Sequence, residues 1–501
     1  MLSLVGASRP EWRREIGLRV TLALLPCAVL VVSLRTVLGA FPIAWLVPLA
    51  MTFGSALMVV SLAREVLGRR GFLVFWAMYG LAWTAVAWHG THFHRAPRPA
   101  ALFMNLEEIS QVPLPGWHEV PLAFLIAVLG LGALARKASP RGRDLRLATI
   151  GTVGLCAVLQ GYAFLRYQTR DMLRYSEYRD LVRTHGLEGA VTLDALEILR
   201  SANSGSALAE LRRDASENPA RPLPLDPVRV NRMVLVQVES LDRDALTVAP
   251  VLTGIWQTAT HGLVTSDRTS VSGSSSADFQ VLTGLRARSG VPVYRLGWDG
   301  AGQTLPDHAA ALGFRFHAYH GNDRNFWNRG PFFSAIHASF HSAESIPESE
   351  FSRWGRADGD LFRFAAARIR QEQRAVHFLI TLSTHAPYDL IIPPGPLERA
   401  PVKTRYLASV SYADAALGKF LHALPRDGTT LVALYGDHTS GLFEKVGADE
   451  PPVPLMLGTL APDGSLAPLS ARGQPIQELP GTYELPALHR FVQSCLDASA
   501  P

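Results

Sequence analysis

Cysteine is nearly absent from this 501-residue chain, with three in all: Cys27, Cys156 and Cys495. Two fall in long apolar stretches and the third lies near the C-terminus, so a disulfide framework is excluded as the source of stability. Net charge is also small, a formal +5, and much of it comes from arginines in short loops between apolar runs. That argues against nucleic acid as a partner. There is no internal repeat and no long low-complexity segment.

Apolar sequence is in excess, at 48% hydrophobic residues, and it is concentrated in the first third. Runs cover about 17–38, 39–62, 71–89, 120–135 and 147–165. Each approaches the ~17–25 residues that cross a bilayer, the fourth at the short limit. A buried core helix accounts for one such run but poorly for five separated by short charged loops. The N-terminus carries Arg9, Arg13, Arg14 and, at the start of the first run, Arg19, and Arg64, Arg69 and Arg70 follow the second run. Arg136, Lys137, Arg141, Arg143 and Arg146 fill the 136–146 loop, whereas the long 90–118 loop has only Arg95 and Arg98. Arginine-rich alternate loops face the cytoplasm, so five spans send everything after residue 165 to the outer side. The first run lacks a small-residue cleavage site and reads as a retained span. Residues 1–165 are thus expected to form a five-helix transmembrane region.

Residues 166–225 are charged and leucine-spaced, then proline-rich in "NPARPLPLDP", which predicts a helical linker. From 226 to 501 short apolar runs of strand length alternate with helical patterns. This is the signature of an α/β domain with a largely parallel sheet. Four runs end in chemistry-bearing residues: "RMVLVQVES" at Glu239, "FRFHAYHGND" at His320, Asn322 and Asp323, "AVHFLITLSTHAPY" at Thr384 and His385, and "TTLVALYGDHTSG" at Asp437 and His438. Ligands of open α/β sheets bind beyond the carboxyl ends of strands, so these endings are expected to converge. Tyr406, Val410, Ala413, Leu417, Phe420, Leu421 and Leu424 recur at helical spacing, which predicts a crossover helix packed on the sheet.

Two carboxylates and an imidazole, Glu239, Asp437 and His438, suit Zn, Mn or Mg and leave a coordination position open. Such a cation needs a nucleophile, and "VSGSSSADFQVLTGL" (271–285) offers serines directly before an apolar helix pattern. Coordination turns a serine hydroxyl into an alkoxide-like nucleophile without a neighbouring base. The stretch "SADFQVLTGL" (276–285) reads as a helix start with Asp278 in its first turn, its free amides favouring a phosphate. The same residues loosely echo the G-x-S-x-G elbow of serine hydrolases, but that elbow needs a buried strand in front and "TSDRTSVS" is polar. In "GNDRNFWNRGPFF" Trp327 either anchors its loop or walls a site, with Arg329 binding a phosphate. His385 is either a satisfied loop histidine or a group that binds substrate or protonates a leaving group. His89, His92 and His94 have metal-like spacing but no carboxylate partner.

In order and wording, "VESL", the serine motif before "LTGL", "HGND…FWNR", "STHAPY" and "YGDH" resemble the lipoteichoic acid synthase type of phosphoglycerol transferases, within the alkaline phosphatase and sulfatase superfamily. The resemblance implies an exported α/β domain of that type, in which Glu239, Asp437 and His438 hold one divalent cation, commonly manganese. Counting back from Asp278–Phe279 makes Ser274 the nucleophile and a further ligand. Trp327, Arg329 and His385 match residues that contact the glycerol phosphate group, and Asn322 matches a less uniform substrate-side position. Serine replaces the family's threonine and Gly273 its lysine, which leaves Ser275 as the alternative register. The sulfatase C/S-x-P-x-R motif is absent, and the cysteines are too few for the disulfides usual in phosphoethanolamine transferases.

The function so implied is transfer of a phosphoglycerol head group from phosphatidylglycerol, through a phosphoserine, to an envelope glycan or glycolipid. The enzyme would be a multi-pass protein of the bacterial plasma (inner) membrane with its catalytic domain on the extracytoplasmic side. A phosphoethanolamine transferase or lipid phosphodiesterase on the same scaffold is the alternative enzyme. A catalytically silent envelope scaffold is the alternative of another class, and it would be marked by a broken metal set.

Overall fold

The computed structural model describes residues 204–265, 273–287, 293–296, 298, 304–386, 388–443 and 451–501, besides scattered positions in the first 75. The five apolar runs otherwise lie outside the described residues, as do His89, His92, His94 and the linker up to residue 203. No helix among the described residues is long and apolar enough to cross a membrane.

A helix, α1 (Ser204–Glu217), precedes the first strand, β1 (Arg232–Val238). There follow α2 (Pro250–Thr258), β2 (Thr260–Thr265), α3 (Gly273–Thr283), α4 (Leu305–Ala311) and β3 (Arg315–His320). Next come α5 (Arg329–Ala335), β4 (Ser339–His341), α6 (Asp358–Ile369), β5 (Ala375–Ile380) and α7 (Val402–Ala423). The chain closes with β6 (Thr430–Gly436), β7 (Val453–Leu460), β8 (Leu466–Ala467), a small hairpin of β9 (Ser470–Ala471) and β10 (Gln474–Pro475), then β11 (Glu478–Glu484) and α8 (Leu485–Ala498).

The main sheet has nine strands in the order β11-β2-β7-β6-β1-β5-β3-β4, with β8 beside β7. Only β7 runs against the rest, so the expected largely parallel sheet is present. Every residue of β1, β5 and β6 is buried, because helices cover both faces and a strand's side chains alternate between them. Met233, Leu235 and Phe378 pack with Phe279 and Leu282 of α3 and Leu488 and Val492 of α8. Val234 and Val236 point the other way, to Leu361 and Phe362 of α6 and Val410 and Leu417 of α7. Each such buried side chain contributes roughly 1.5–3 kcal/mol. The helix expected from the 406–424 spacing is α7, and Tyr406, Val410, Leu417, Phe420 and Leu421 are its core face.

Strands β6, β1, β5 and β3 are immediate neighbours and parallel. Their carboxyl ends therefore open side by side, which is where the four chemistry-bearing endings lie. Pairing of Val238 with Gly436 sets Glu239 beside Asp437.

Candidate active site

Glu239 leaves the end of β1 with its backbone clamped. Its N–H donates to Thr381 Oγ1 at 3.0 Å, and Thr384 Oγ1 donates to its carbonyl. The next residue, Ser240, takes the left-handed conformation at φ 50°, which is uncommon for a residue with a side chain. That turn lets the Ser240 N–H reach Asp437 Oδ1 at 2.8 Å and its hydroxyl reach Glu239 Oε1 at 2.8 Å. Gly436 lets the other strand come this close, since a Cβ there would lie 2.9 Å from Val453 Cβ and 3.1 Å from the Leu241 carbonyl.

His438 donates its backbone N–H to Asp437 Oδ1 at 2.7 Å and places Nδ1 2.9 Å from the Thr439 carbonyl. The second contact puts a ring proton on Nδ1 and turns Nε2 toward the carboxylates. Nε2 is 3.2 Å from Glu239 Oε1 and 3.8 Å from Asp437 Oδ1. Asp437 Oδ2 is buried with no hydrogen-bond partner among the described residues. One ligand atom from each of Glu239, Asp437 and His438 lies within 4.8 Å of the others.

Electrostatics mark the two carboxylates of this set. Burial, then Glu239 beside it, push Asp437 up to about 7. Burial would raise Glu239 too, but His438 and His385 outweigh it and hold it well below the usual carboxylate range. Lone pairs converging on one point, with an orphaned carboxylate oxygen among them, fit a divalent cation.

Ser274 enters this cluster from the first turn of α3. Its hydroxyl donates to Glu239 Oε2 at 2.7 Å and its residue is half-buried, whereas Ser275 is buried. The Ser274 carbonyl accepts from Gln237 Nε2 at 3.0 Å, and Gln237 Oε1 accepts from the Tyr435 hydroxyl at 2.8 Å. Neighbouring strands β1 and β6 thus hold the helix start. The helix begins at Gly273, earlier than expected, so Asp278 stands in its second turn rather than its first. The extra residues were masked in the sequence by serine and glycine, which favour turns and caps over helix interiors.

The remaining expected residues form a second layer. Arg329, the first residue of α5, is only 1% exposed. Its Nε and Nη2 donate to Asp278 Oδ2 at 3.3 and 3.2 Å, and its Nη1 lies 3.2 Å from His320 Nε2. Asn322 is buried in the loop after β3, its Oδ1 accepting from the Asp323 N–H at 2.7 Å. Gly321 in that loop meets the backbone of Gly355 and Arg356 so closely that a Cβ would lie 2.4 Å from the Arg356 carbonyl.

Trp327 is half-buried and packs on the cluster of Phe326, Trp354 and Leu390. The Trp354 ring meets His385 edge-on at 4.4 Å, so Trp327 and His385 flank one aromatic wall. His385 Nδ1 faces the Ala386 carbonyl, and burial lowers its basicity against the pull of Glu239.

Sequence reasoning missed Gln237, Ser240 and Trp354. Gln237 carried a signal, as the one polar residue in the apolar run from Met233 to Val238. Trp354 carried none, since its partners come from other loops.

A parallel α/β sheet with this serine and ligand cluster at its carboxyl edge defines a domain of the alkaline phosphatase and sulfatase type. The sulfatase family model matches residues 232–486, and the chain belongs to that family.

Among its relatives, lipoteichoic acid synthase 2 of Bacillus subtilis (strain 168) is 27% identical over 148 residues, 27% of this chain and 23% of that protein. The chain thus matches about a quarter of that relative's length. The lipoteichoic acid synthase LtaP of Listeria monocytogenes superposes over 57% of this chain and 77% of its own, at 17% identity and a TM-score of 0.45. The integral membrane lipooligosaccharide phosphoethanolamine transferase A of Neisseria meningitidis covers 88% of both chains, at 16% identity and a TM-score of 0.50.

Proposed function

We propose that this chain is a membrane-anchored, metal-dependent phosphotransferase that moves the phosphoglycerol head group of phosphatidylglycerol to an envelope glycan or glycolipid. The observation that carries the reading is the Ser274 hydroxyl, 2.7 Å from Glu239 in the cluster completed by Asp437 and His438. The relationship to lipoteichoic acid synthase 2 supports the donor, and the apolar runs of residues 1–165 support five spans with the catalytic domain on the extracytoplasmic side of a bacterial plasma membrane. Residues 166–225 serve as the linker and 226–501 as the catalytic domain.

Glu239, Asp437, His438 and Ser274 would hold one divalent cation, manganese in preference to magnesium or zinc. When bound, it lowers the pKa of the serine hydroxyl and offsets charge on the phosphoryl oxygens. Ser274 Oγ forms its bond to phosphorus as the bond to diacylglycerol breaks, and the serine proton ends on the diacylglycerol oxygen. An acceptor hydroxyl, or water, then takes the phosphoglycerol group and restores Ser274.

His385, with its ring proton on Nδ1, offers Nε2 to a substrate hydroxyl in either half of the cycle. Arg329 directs its remaining N–H groups at the phosphate, Asn322 offers its amide, and Trp327 with Trp354 walls the glycerol.

The test follows diacylglycerol release from phosphatidylglycerol vesicles by Ser274→Ala and Ser275→Ala, with and without chelator. Ser274→Ala and chelated wild type should lose release by roughly a thousandfold or more, while Ser275→Ala retains it. Release surviving in Ser274→Ala sinks the assignment. A trapped adduct bearing phosphoethanolamine rather than phosphoglycerol replaces the donor.

A further inference from the structure

Asp278 lies four residues after Ser274, and so one turn along the same helical face of α3. Its carboxylate is fully buried and accepts the Phe279 N–H at 2.9 Å together with two N–H groups of Arg329. Arg329 follows two residues in left-handed backbone, Trp327 at φ 59° and Asn328 at φ 60°. Such a loop persists only where its surroundings over-determine it. From Arg329 the line continues to His320 Nε2, and His320 Nδ1 donates to the Ile380 carbonyl at 3.0 Å. Ile380 closes β5, directly ahead of the loop bearing Thr381, Thr384 and His385. One hydrogen-bonded line therefore joins the Ser274 helix, the aromatic loop and the ends of β3 and β5.

Stability alone does not account for it. A buried ion pair replaced by apolar groups of similar volume is often as stable or more so, so the pair is poorly explained as a source of fold stability. We propose that Asp278 is a positioning residue, which holds the rotation of the Ser274 helix and the aim of the Arg329 guanidinium as one unit. It engages three of the five guanidinium N–H groups, together with His320, and so fixes the direction of the other two. This inference rests on Ser274 being the nucleophile, but not on which head group it carries.

The test compares full-length wild type with Asp278→Asn, Asp278→Glu, Arg329→Lys and the Asp278→Asn/Arg329→Lys double variant. Turnover is read on phosphatidylglycerol and on bis(4-nitrophenyl) phosphate, and hydrogen exchange is read on peptides covering 273–283 and 320–335. Asp278→Asn should melt near wild type and lower kcat by about tenfold or more on the substrates turned over, with KM changed by less than about threefold. Asp278→Glu should regain part of the rate. The double variant should be no slower than the slower single one, as expected for residues acting as a unit.

Both peptides should lose protection together in Asp278→Asn, whatever the substrate. Protection lost from 273–283 alone, an unchanged kcat in the folded Asp278→Asn enzyme, or multiplying effects in the double variant would each overturn the proposal. Wild type that cleaves the aryl diester but not phosphatidylglycerol overturns the head-group reading and leaves this one standing.

Discussion

At the scale of single residues, Ser240 does more than its position after a strand suggests. Its left-handed backbone aims one donor at Asp437 and its side chain aims another at Glu239. Holding a residue with a side chain there stores about 1 kcal/mol or more of strain, and glycine adopts the conformation freely. Ser240→Gly should therefore raise the unliganded melting temperature or leave it unchanged. Manganese affinity should nevertheless fall by roughly tenfold, the usual scale for losing a group that orients a ligand. Ser240→Ala keeps the strain, loses the hydroxyl and should lose affinity without the gain in melting temperature. Titration calorimetry with manganese and a thermal melt separate the two effects, and unchanged affinity in both variants would rule out the orienting role.

Elements set the approach of Ser274. The helix α3 has no apolar stripe of its own to fix its rotation, since every residue from Ser275 to Thr283 is buried. Its start is held instead by Gln237 and Tyr435, one from each of two neighbouring strands. Gln237→Leu keeps the strand's size and burial but strips the Ser274 carbonyl and the Tyr435 hydroxyl of their partner. The expected loss is about 1–3 kcal/mol of stability, measured by urea denaturation, accompanied by a fall in kcat larger than the unfolded fraction explains. The companion Gln237→Leu/Tyr435→Phe variant should regain part of that stability, because the Tyr435 hydroxyl left without its partner is then gone, but the Ser274 carbonyl still lacks Gln237 and kcat should not recover. Helix α7 is the opposite case. Its 3.6-residue periodicity marked its buried face, because that face is set by local geometry alone, although the helix itself starts at Val402, ahead of the periodic stretch.

Across the domain, buried histidines tie stability to pH. Burial lowers His377 to about 3 and His489 to about 4, from an ordinary 6.5. An unfolded chain binds protons at these positions below pH 6.5 that the native protein refuses. The native state therefore loses stability as pH falls from 6.5, by at most about 1.4 kcal/mol per pH unit for each histidine. Asp278 and Asp358, raised to about 6 chiefly by burial, act in the opposite sense. Their native forms take up protons between pH 6 and their ordinary 3.8, which adds stability as pH falls through that window. The two effects offset in the sum, so a difference measurement is needed. Relative to His377→Gln, wild type should lose stability on going from pH 7 to pH 5 while the gap stays constant above pH 7. Equal slopes in parallel denaturation series at both pH values would show that His377 is not held neutral.

The sequence by itself determined the α/β class and which strands end at the site, carrying Glu239, Asp437 and His438. Apolar runs and their polar endings are local patterns, and the sheet's parallel order brings such endings to one edge. Tertiary structure alone decided which serine hydroxyl meets Glu239, since that depends on where α3 begins and on its rotation against β1. It also decided that Arg329 lies buried against Asp278, 51 residues away, and that Trp354 stands beside His385. Those pairings follow from strand order and the close passage of glycine backbones, such as Gly321 against Gly355. No spacing along the chain encodes them, because they are set by which segments the sheet brings together and how closely they pack.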